Sequence, residues 1–200
     1  MQAEISRNVE QAAAAASAAA GIAPGVAVEP APRYDGVSIL LHWLTAALVV
    51  ILWTLGQTID FFPKGAPKVD ARSTHIVLGA TLGVVLLVRV LWRASAGRKL
   101  PLANSGWLGL TAKIVHYGLY VLVGATVVLG IFNAWQRGDV LFNIYTIPKL
   151  VPGDLVLKRA LEELHADCAD IVLIVAGLHA AAALAHHYLL RDRVLRRMLP

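Results

Sequence analysis

The chain has 200 residues, 58% of them hydrophobic and 16% charged, with a mean hydropathy of +0.64. That is too apolar for an ordinary soluble domain of this size, and it defines an integral membrane protein. The net charge of +5 comes without a basic groove interleaved with aromatics, which excludes a nucleic-acid binder and leaves the excess charge as a signal of topology.

Residues 1–36 come first. The stretch "VEQAAAAASAAAGIAPGVAVEPAP" is Ala-rich and then broken by prolines, and Glu4, Arg7 and Glu10 stand where a secretory signal would carry basic and then purely apolar residues. The segment reads as an Ala/Pro-rich cytoplasmic tail, partly helical or disordered. The remainder, 37–200, reads as one membrane domain with four apolar runs at 37–59, 75–92, 107–132 and 166–190. Each is close to the roughly 20 residues that cross about 30 Å of hydrocarbon as a helix. Runs of this length do not suit the short alternating strands of a membrane barrel. The expected fold is therefore an all-α integral membrane protein with four transmembrane helices in one bundle.

Orientation follows from the basic residues. With a cytoplasmic N-terminus, eleven of the 18 Lys and Arg fall on the inner side, notably in "RASAGRK" after the second run and "RDRVLRR" after the fourth. Both termini are then cytoplasmic. The one cysteine, Cys168, excludes an internal disulfide and a four-cysteine iron–sulfur site. The lack of C-x-x-C-H excludes a covalently attached c-type haem.

All seven histidines, His42, His75, His116, His165, His179, His186 and His187, lie within or at the edge of an apolar run. Ionisable side chains at membrane depth are costly and face a bundle interior or an aqueous path. His165 and His179 stand 14 residues apart, which on a helix leaves them within about 40° of one face and ~21 Å apart along the axis. The fourth helix thus offers two ligands at two depths. The first helix runs outward with His42 near its inner end, and the second runs inward from His75. Matching depths pairs His75 with His165 and His42 with His179.

Two bis-histidine sites stacked across a bilayer are what two b-type haems require: neutral imidazoles on both axial positions, in an apolar slot between helices. The small residues of "LGATLG" and "AGLHAAAALA" suit the lining of such a slot, and equally plain helix packing. Zinc is the competing ligand reading, which paired histidines without carboxylate or thiolate suit poorly. A non-redox bundle using histidines for packing or proton transfer is a third reading.

The blocks "LLHWL", "THIVLGATLGVVLLVRVLWR", "HYGLYV" and above all "GLHAAAALAHHYLLRDRVLRRMLP" resemble the bacterial cytochrome b561 family over roughly residues 33–200, most closely its small quinone-linked members that oxidise superoxide. The resemblance implies a multi-pass protein of the bacterial inner membrane whose four helices enclose two b-type haems. It implies axial ligands at His42, His75, His165 and His179, the same four that matched depths select. It further implies an oxidoreductase that passes electrons from the periplasmic side, with superoxide as donor and O2 as product, to ubiquinone. The alternative is an electron-transfer or anchor subunit of a hydrogenase-like or formate-dehydrogenase-like complex, which needs a soluble partner subunit. Short outer loops with no evident docking domain favour the stand-alone enzyme.

Other residues have two readings each. His116 is either a rival ligand, able to pair with His42 or His179, or a hydrogen-bond partner of a haem propionate or a structural contact. Arg89 suits a propionate contact and Arg93 a snorkelling contact with headgroups. His186 lies seven residues beyond His179, within about 20° of its face and ~10 Å nearer the cytoplasm. With His187 it is either an interface anchor or, at the quinone site that the resemblance implies, a proton source. Lys64, Lys68, Arg72, Lys149, Lys158 and Arg159 on the outer loops either steer an anionic donor or are simply solvated.

Overall fold

The structure, a computed structural model, describes residues 2–19, 33–101, 106–150, 155–192 and 194–199. The chain divides into two units, Met1–Ala31 and Pro32–Pro200. In the first, the alanine-rich sequence forms helix α1, Gln2–Ala19, as the high helix propensity of alanine favours. Positions 20–32 of the expected tail lie outside the described residues.

The second unit contains four long helices: α2 Gly36–Thr58, α3 Ala66–Ala94, α4 Gly106–Arg137 and α5 Leu155–Tyr188. All four are long and apolar enough to cross a membrane. Residues 33–35, grouped with the tail by sequence, are tied to this unit instead. Asp35 caps α2 by accepting from the Ser38 backbone N–H at 2.9 Å and the Ser38 hydroxyl at 2.8 Å. It also accepts from the Trp92 indole of α3 and the Arg98 backbone N–H, each at 3.0 Å.

Two helices begin well outside the apolar runs that announce them. α3 starts nine residues before His75 and α5 ten before His165, because "APKVDARST" and "LVLKRALEEL" continue the helix into the polar zone where hydropathy no longer marks it. Pro67 in the first turn of α3 suits a helix start. α4 ends at Arg137, where Gly138 at φ +66° turns the chain and donates to the Ala134 carbonyl at 2.9 Å.

A short hairpin follows α4, with strand β1 Val140–Leu141 antiparallel to β2 Tyr145–Thr146. The fully buried Ser73 of α3 holds it in place, accepting from the Phe142 N–H at 2.8 Å while donating to the Val69 carbonyl at 2.7 Å. After α5, a 3-10 turn at Leu195–Arg197 returns to the start of α2. Tyr34 N–H donates to the Arg197 carbonyl at 3.2 Å, and the Trp43 indole to the Met198 carbonyl at 2.8 Å.

The buried core joins Leu48 and Leu52 of α2, Leu82 and Leu86 of α3, Val123 of α4 and Val172 of α5. Large apolar residues such as Val84, Leu87, Val121 and Ile174 point outward, which suits a bundle whose solvent is lipid. Leu82 lies seven residues beyond His75, and Val172 midway between His165 and His179. This apolar layer therefore separates an outer histidine level from an inner one.

Candidate functional site

At the outer level, α3 and α5 bring His75 and His165 together with ring centroids 6.2 Å apart. His165 Nδ1–H donates to the Thr126 carbonyl of α4 at 3.0 Å, which leaves Nε2 with its lone pair. His75 Nδ1 is buried without a hydrogen bond of good geometry, and the Leu52 carbonyl is the backbone group that interacts with its ring. A glycine faces each ring, and only the one at His165 is close enough that a side chain there would press on the ring. A Cβ on Gly56 of α2 would lie 3.4 Å from His75 Cε1, and one on Gly130 of α4 would lie 3.1 Å from His165 Cε1.

At the inner level, His42 of α2 and His179 of α5 have centroids 6.4 Å apart. His116 of α4 joins them, 5.0 Å from the His179 ring, with its Nδ1–H given to the Ala112 carbonyl at 2.6 Å. Arg89 of α3 donates to His42 Nδ1 at 2.8 Å and lies over the Tyr120 ring, 5.2 Å from its centroid. Arg93, by contrast, points to the inner rim, donating to the Tyr34 hydroxyl at 3.2 Å.

The two levels repeat the same interval on three helices. His75 to Arg89, His116 to Gly130, and His165 to His179 are each 14 residues, or ~21 Å of helix. One metal between two imidazole nitrogens, at about 2 Å from each and with each ring reaching ~1 Å further to its centroid, puts the centroids roughly 6 Å apart. Both 6.2 Å and 6.4 Å meet that spacing, whereas the 5.0 Å between His116 and His179 is short of it. Half-buried Gly79, one turn beyond His75, has nothing within 4 Å of where a Cβ would sit, and the same holds for Gly177 beside His179. Small residues from the "LGATLG" and "AGLHAAAALA" runs thus border open space, but the glycines in contact with histidines are Gly56 and Gly130. Among the described residues no group of three or more His, Cys, Asp and Glu converges as a metal site, so tetrahedral zinc has no set of ligands there.

His186 is joined to Asp192, whose Oδ2 accepts from Nδ1 at 2.5 Å. His187 Nδ1 is buried without a partner, and its ring lies 4.8 Å from that of Tyr188. Of the outer cations, Lys68 pairs with Asp60 at 2.8 Å and Arg72 lies 3.6 Å from Asp139, while Lys64, Lys149 and Arg159 are exposed. Sequence reasoning did not single out Gly130, Asp192 or Arg137. The 14-residue spacing of Gly130 from His116 was available as a signal for the first, but nothing in one sequence pairs His186 with Asp192.

Four membrane helices with paired histidines at two depths define a membrane-embedded cytochrome b architecture. Residues 33–200 match the family of prokaryotic cytochrome b561, and the chain belongs to that family. It is 30% identical over 172 residues to the probable superoxide oxidase CybB of Yersinia pestis, covering 84% of this chain and 96% of the relative. Cytochrome b561 homolog 1 of Escherichia coli strain K12 is 29% identical over 172 residues, covering 84% of this chain and 97% of the relative. Cytochrome b562 of Cereibacter sphaeroides is 28% identical over 171 residues, covering 84% and 96%. The chain is thus a multi-pass bacterial membrane protein of an electron-transfer family that binds b-type haem.

Proposed function

We propose that the protein is a superoxide:ubiquinone oxidoreductase with two b-type haems, an outer one ligated by His75 and His165 and an inner one by His42 and His179. The observation that carries this reading is the pair of ring separations, 6.2 Å and 6.4 Å, at two levels of one bundle. Held by these two histidine pairs, b-type haems would supply one-electron chemistry at the outer and inner levels. The overall reaction oxidises two superoxide anions to two O2 and reduces one ubiquinone to ubiquinol with two protons. Its name in the Yersinia relative supports the donor.

The chain's own residues have separate tasks. Thr126 fixes the tautomer and plane of His165 through its carbonyl. Exposed Lys64, Lys149 and Arg159 draw an anion to the outer face. Ubiquinone takes up protons on the inner side, where Asp192 holds the Nδ1–H of His186 and leaves Nε2 as the nitrogen that exchanges a proton. Arg89 is the cation nearest the inner histidines and suits a propionate.

A reduced-minus-oxidised visible spectrum of the detergent-purified protein, with haem quantified per chain as pyridine haemochrome, tests the reading. Two b-type haems, reduced by superoxide and reoxidised by ubiquinone, are expected. Two haems unreactive to superoxide would move the assignment to an anchor subunit with a soluble electron donor. No haem after expression with ample haem supply would overturn it.

A further inference from the structure

The outer end of the bundle carries a chain of alternating charges that the proposed reaction does not use. Arg137, the last residue of α4, points Nε and Nη2 at Asp139 Oδ2, each at 2.9 Å, and Nη1 at Glu162 Oε1 of α5 at 3.1 Å. Asp139 in turn lies 3.6 Å from Arg72 of α3. Arg72 is three residues before His75, and Glu162 three before His165. Arg72 and Glu162 therefore stand three residues, ~4.5 Å of helix rise, outside the two outer histidines and on the same helix faces. Asp139 is 7% and Arg137 21% exposed at the side chain, so solvent screens this cation less than the exposed outer lysines.

We infer that Arg137, held by Asp139 and Glu162 above the His75–His165 pair, is the positioning cation that sets the reduction potential of the outer haem. The inference rests on the two-haem reading. A fixed cation beside a redox centre favours the state with one more electron, and a fixed anion disfavours it. The arrangement also explains why the cation is clasped from two sides. A long side chain free to swing would give a spread of potentials, whereas bonds from the post-helix turn and from α5 keep the guanidinium at one distance. Arg137 thus biases electron entry at the outer level, while Arg89, beside His42, stands 14 residues beyond His75 on α3, about four helical turns further in.

The test is an optical redox titration of the full-length haem-loaded protein as wild type, Arg137→Gln, Arg137→Lys and Glu162→Gln, with His165→Ala identifying the outer transition. Arg137→Gln is expected to lower the outer midpoint potential and leave the inner one in place, Arg137→Lys to restore most of it, and Glu162→Gln to shift it the opposite way. A merely structural clasp would lower thermal stability in Arg137→Gln and Arg137→Lys alike without this opposition of sign. If Arg137→Gln does not fold, the upward shift in Glu162→Gln still decides. An outer potential unmoved by Arg137→Gln or Glu162→Gln, or equal shifts at both haems, would overturn the inference. A single transition in the wild type, or two that both survive His165→Ala, would overturn it together with the two-haem reading beneath it.

Discussion

Arg89 donates to His42 Nδ1 across 2.8 Å, and this contact decides which nitrogen of the ring carries the hydrogen. A guanidinium has donors only, so Nδ1 is the unprotonated nitrogen and Nε2 the protonated one. An imidazole that ligates iron through Nε2 has the reverse arrangement, with its Nδ1–H given to an acceptor. Ligation of a haem by His42 through Nε2, as proposed, would therefore need the opposite tautomer and would leave Arg89, a planar five-donor cation, to another acceptor at this level. His165 already has the ligating tautomer, because Thr126 accepts from its Nδ1. The outer and inner pairs thus differ in the tautomer that their partners select.

Arg89→Gln is accordingly expected to weaken retention of the inner haem while sparing the outer one. Losing a charged hydrogen-bond partner costs about 1.5–3 kcal/mol, roughly a 10- to 100-fold faster loss of haem. Transfer of haem from the variant to an excess apoprotein acceptor, followed spectroscopically, reads this directly. Wild-type retention in the variant would return Arg89 to a headgroup contact.

Gly130 gives a prediction of the opposite kind, since here a group is added. A Cβ would sit 3.1 Å from His165 Cε1 and 3.6 Å from its Nδ1, so the branched side chain of Gly130→Val must push the ring off the Thr126 carbonyl. The helix itself gains propensity from losing a glycine, so folding is not the expected casualty. The expected result is one haem per chain in Gly130→Val, against two in Gly124→Ala, where the added methyl makes only an ordinary contact with Leu86 at 3.8 Å. Haemochrome stoichiometry distinguishes them, and two haems in Gly130→Val would remove the steric argument.

How much of this was legible beforehand depended on the range of the interaction. Hydropathy located four spans because lipid selects for long apolar runs, and helical periodicity placed His165 and His179 on one face from local spacing alone. The starts of α3 and α5 were missed by nine and eleven residues, since a helix that leaves the bilayer keeps its hydrogen bonds but loses its apolar signal. The pairing of His75 with His165 followed from depth. The contacts of Gly130 with His165, Arg137 with Glu162 and Asp35 with Trp92 did not, because each joins helices through a side-chain direction that no periodicity encodes. The hairpin after α4 was also invisible, as two residues per strand give no alternation to read.

Asp35 concentrates four hydrogen bonds at the inner end of α2 and predicts both a stability loss and its pH dependence. Burial works against its ionised form, but the Ser38 and Arg98 backbone N–H groups, the Ser38 hydroxyl and the Trp92 indole outweigh this and hold the carboxyl well below the usual carboxylate range. A folded-state value depressed below the unfolded ~3.9 stabilises the fold fully above that pH, and the contribution is lost as pH falls through the folded value. Asp35→Ala is expected to lose roughly 2–3 kcal/mol at neutral pH, from the helix cap and the two links to α3 and its turn. Thermal unfolding in detergent at pH 7 and in steps below about pH 4 checks both parts. Wild type and variant should converge at the acid end, and a gap that stays constant with pH would show that ionised Asp35 is not the source.

His186 and Asp192 test the inner exit of the proposed reaction. With Asp192 accepting from Nδ1, the imidazole can pass a proton from Nε2 and recover one without turning over, which suits a site where two protons must follow two electrons. His186→Ala should keep both haems, because the residue lies seven positions beyond His179, yet slow ubiquinone reduction by roughly 10²-fold, the lower range for loss of a positioned proton donor. Asp192→Asn should retain part of the rate, since the amide oxygen still accepts from Nδ1 but no longer stabilises the imidazolium. Stopped-flow reoxidation of prereduced haem by a short-chain ubiquinone separates this step from electron entry at the outer face. Unchanged reoxidation in His186→Ala would make the pair a helix-end anchor, and a loss of the inner haem in the same variant would place His186 within the inner site rather than beyond it.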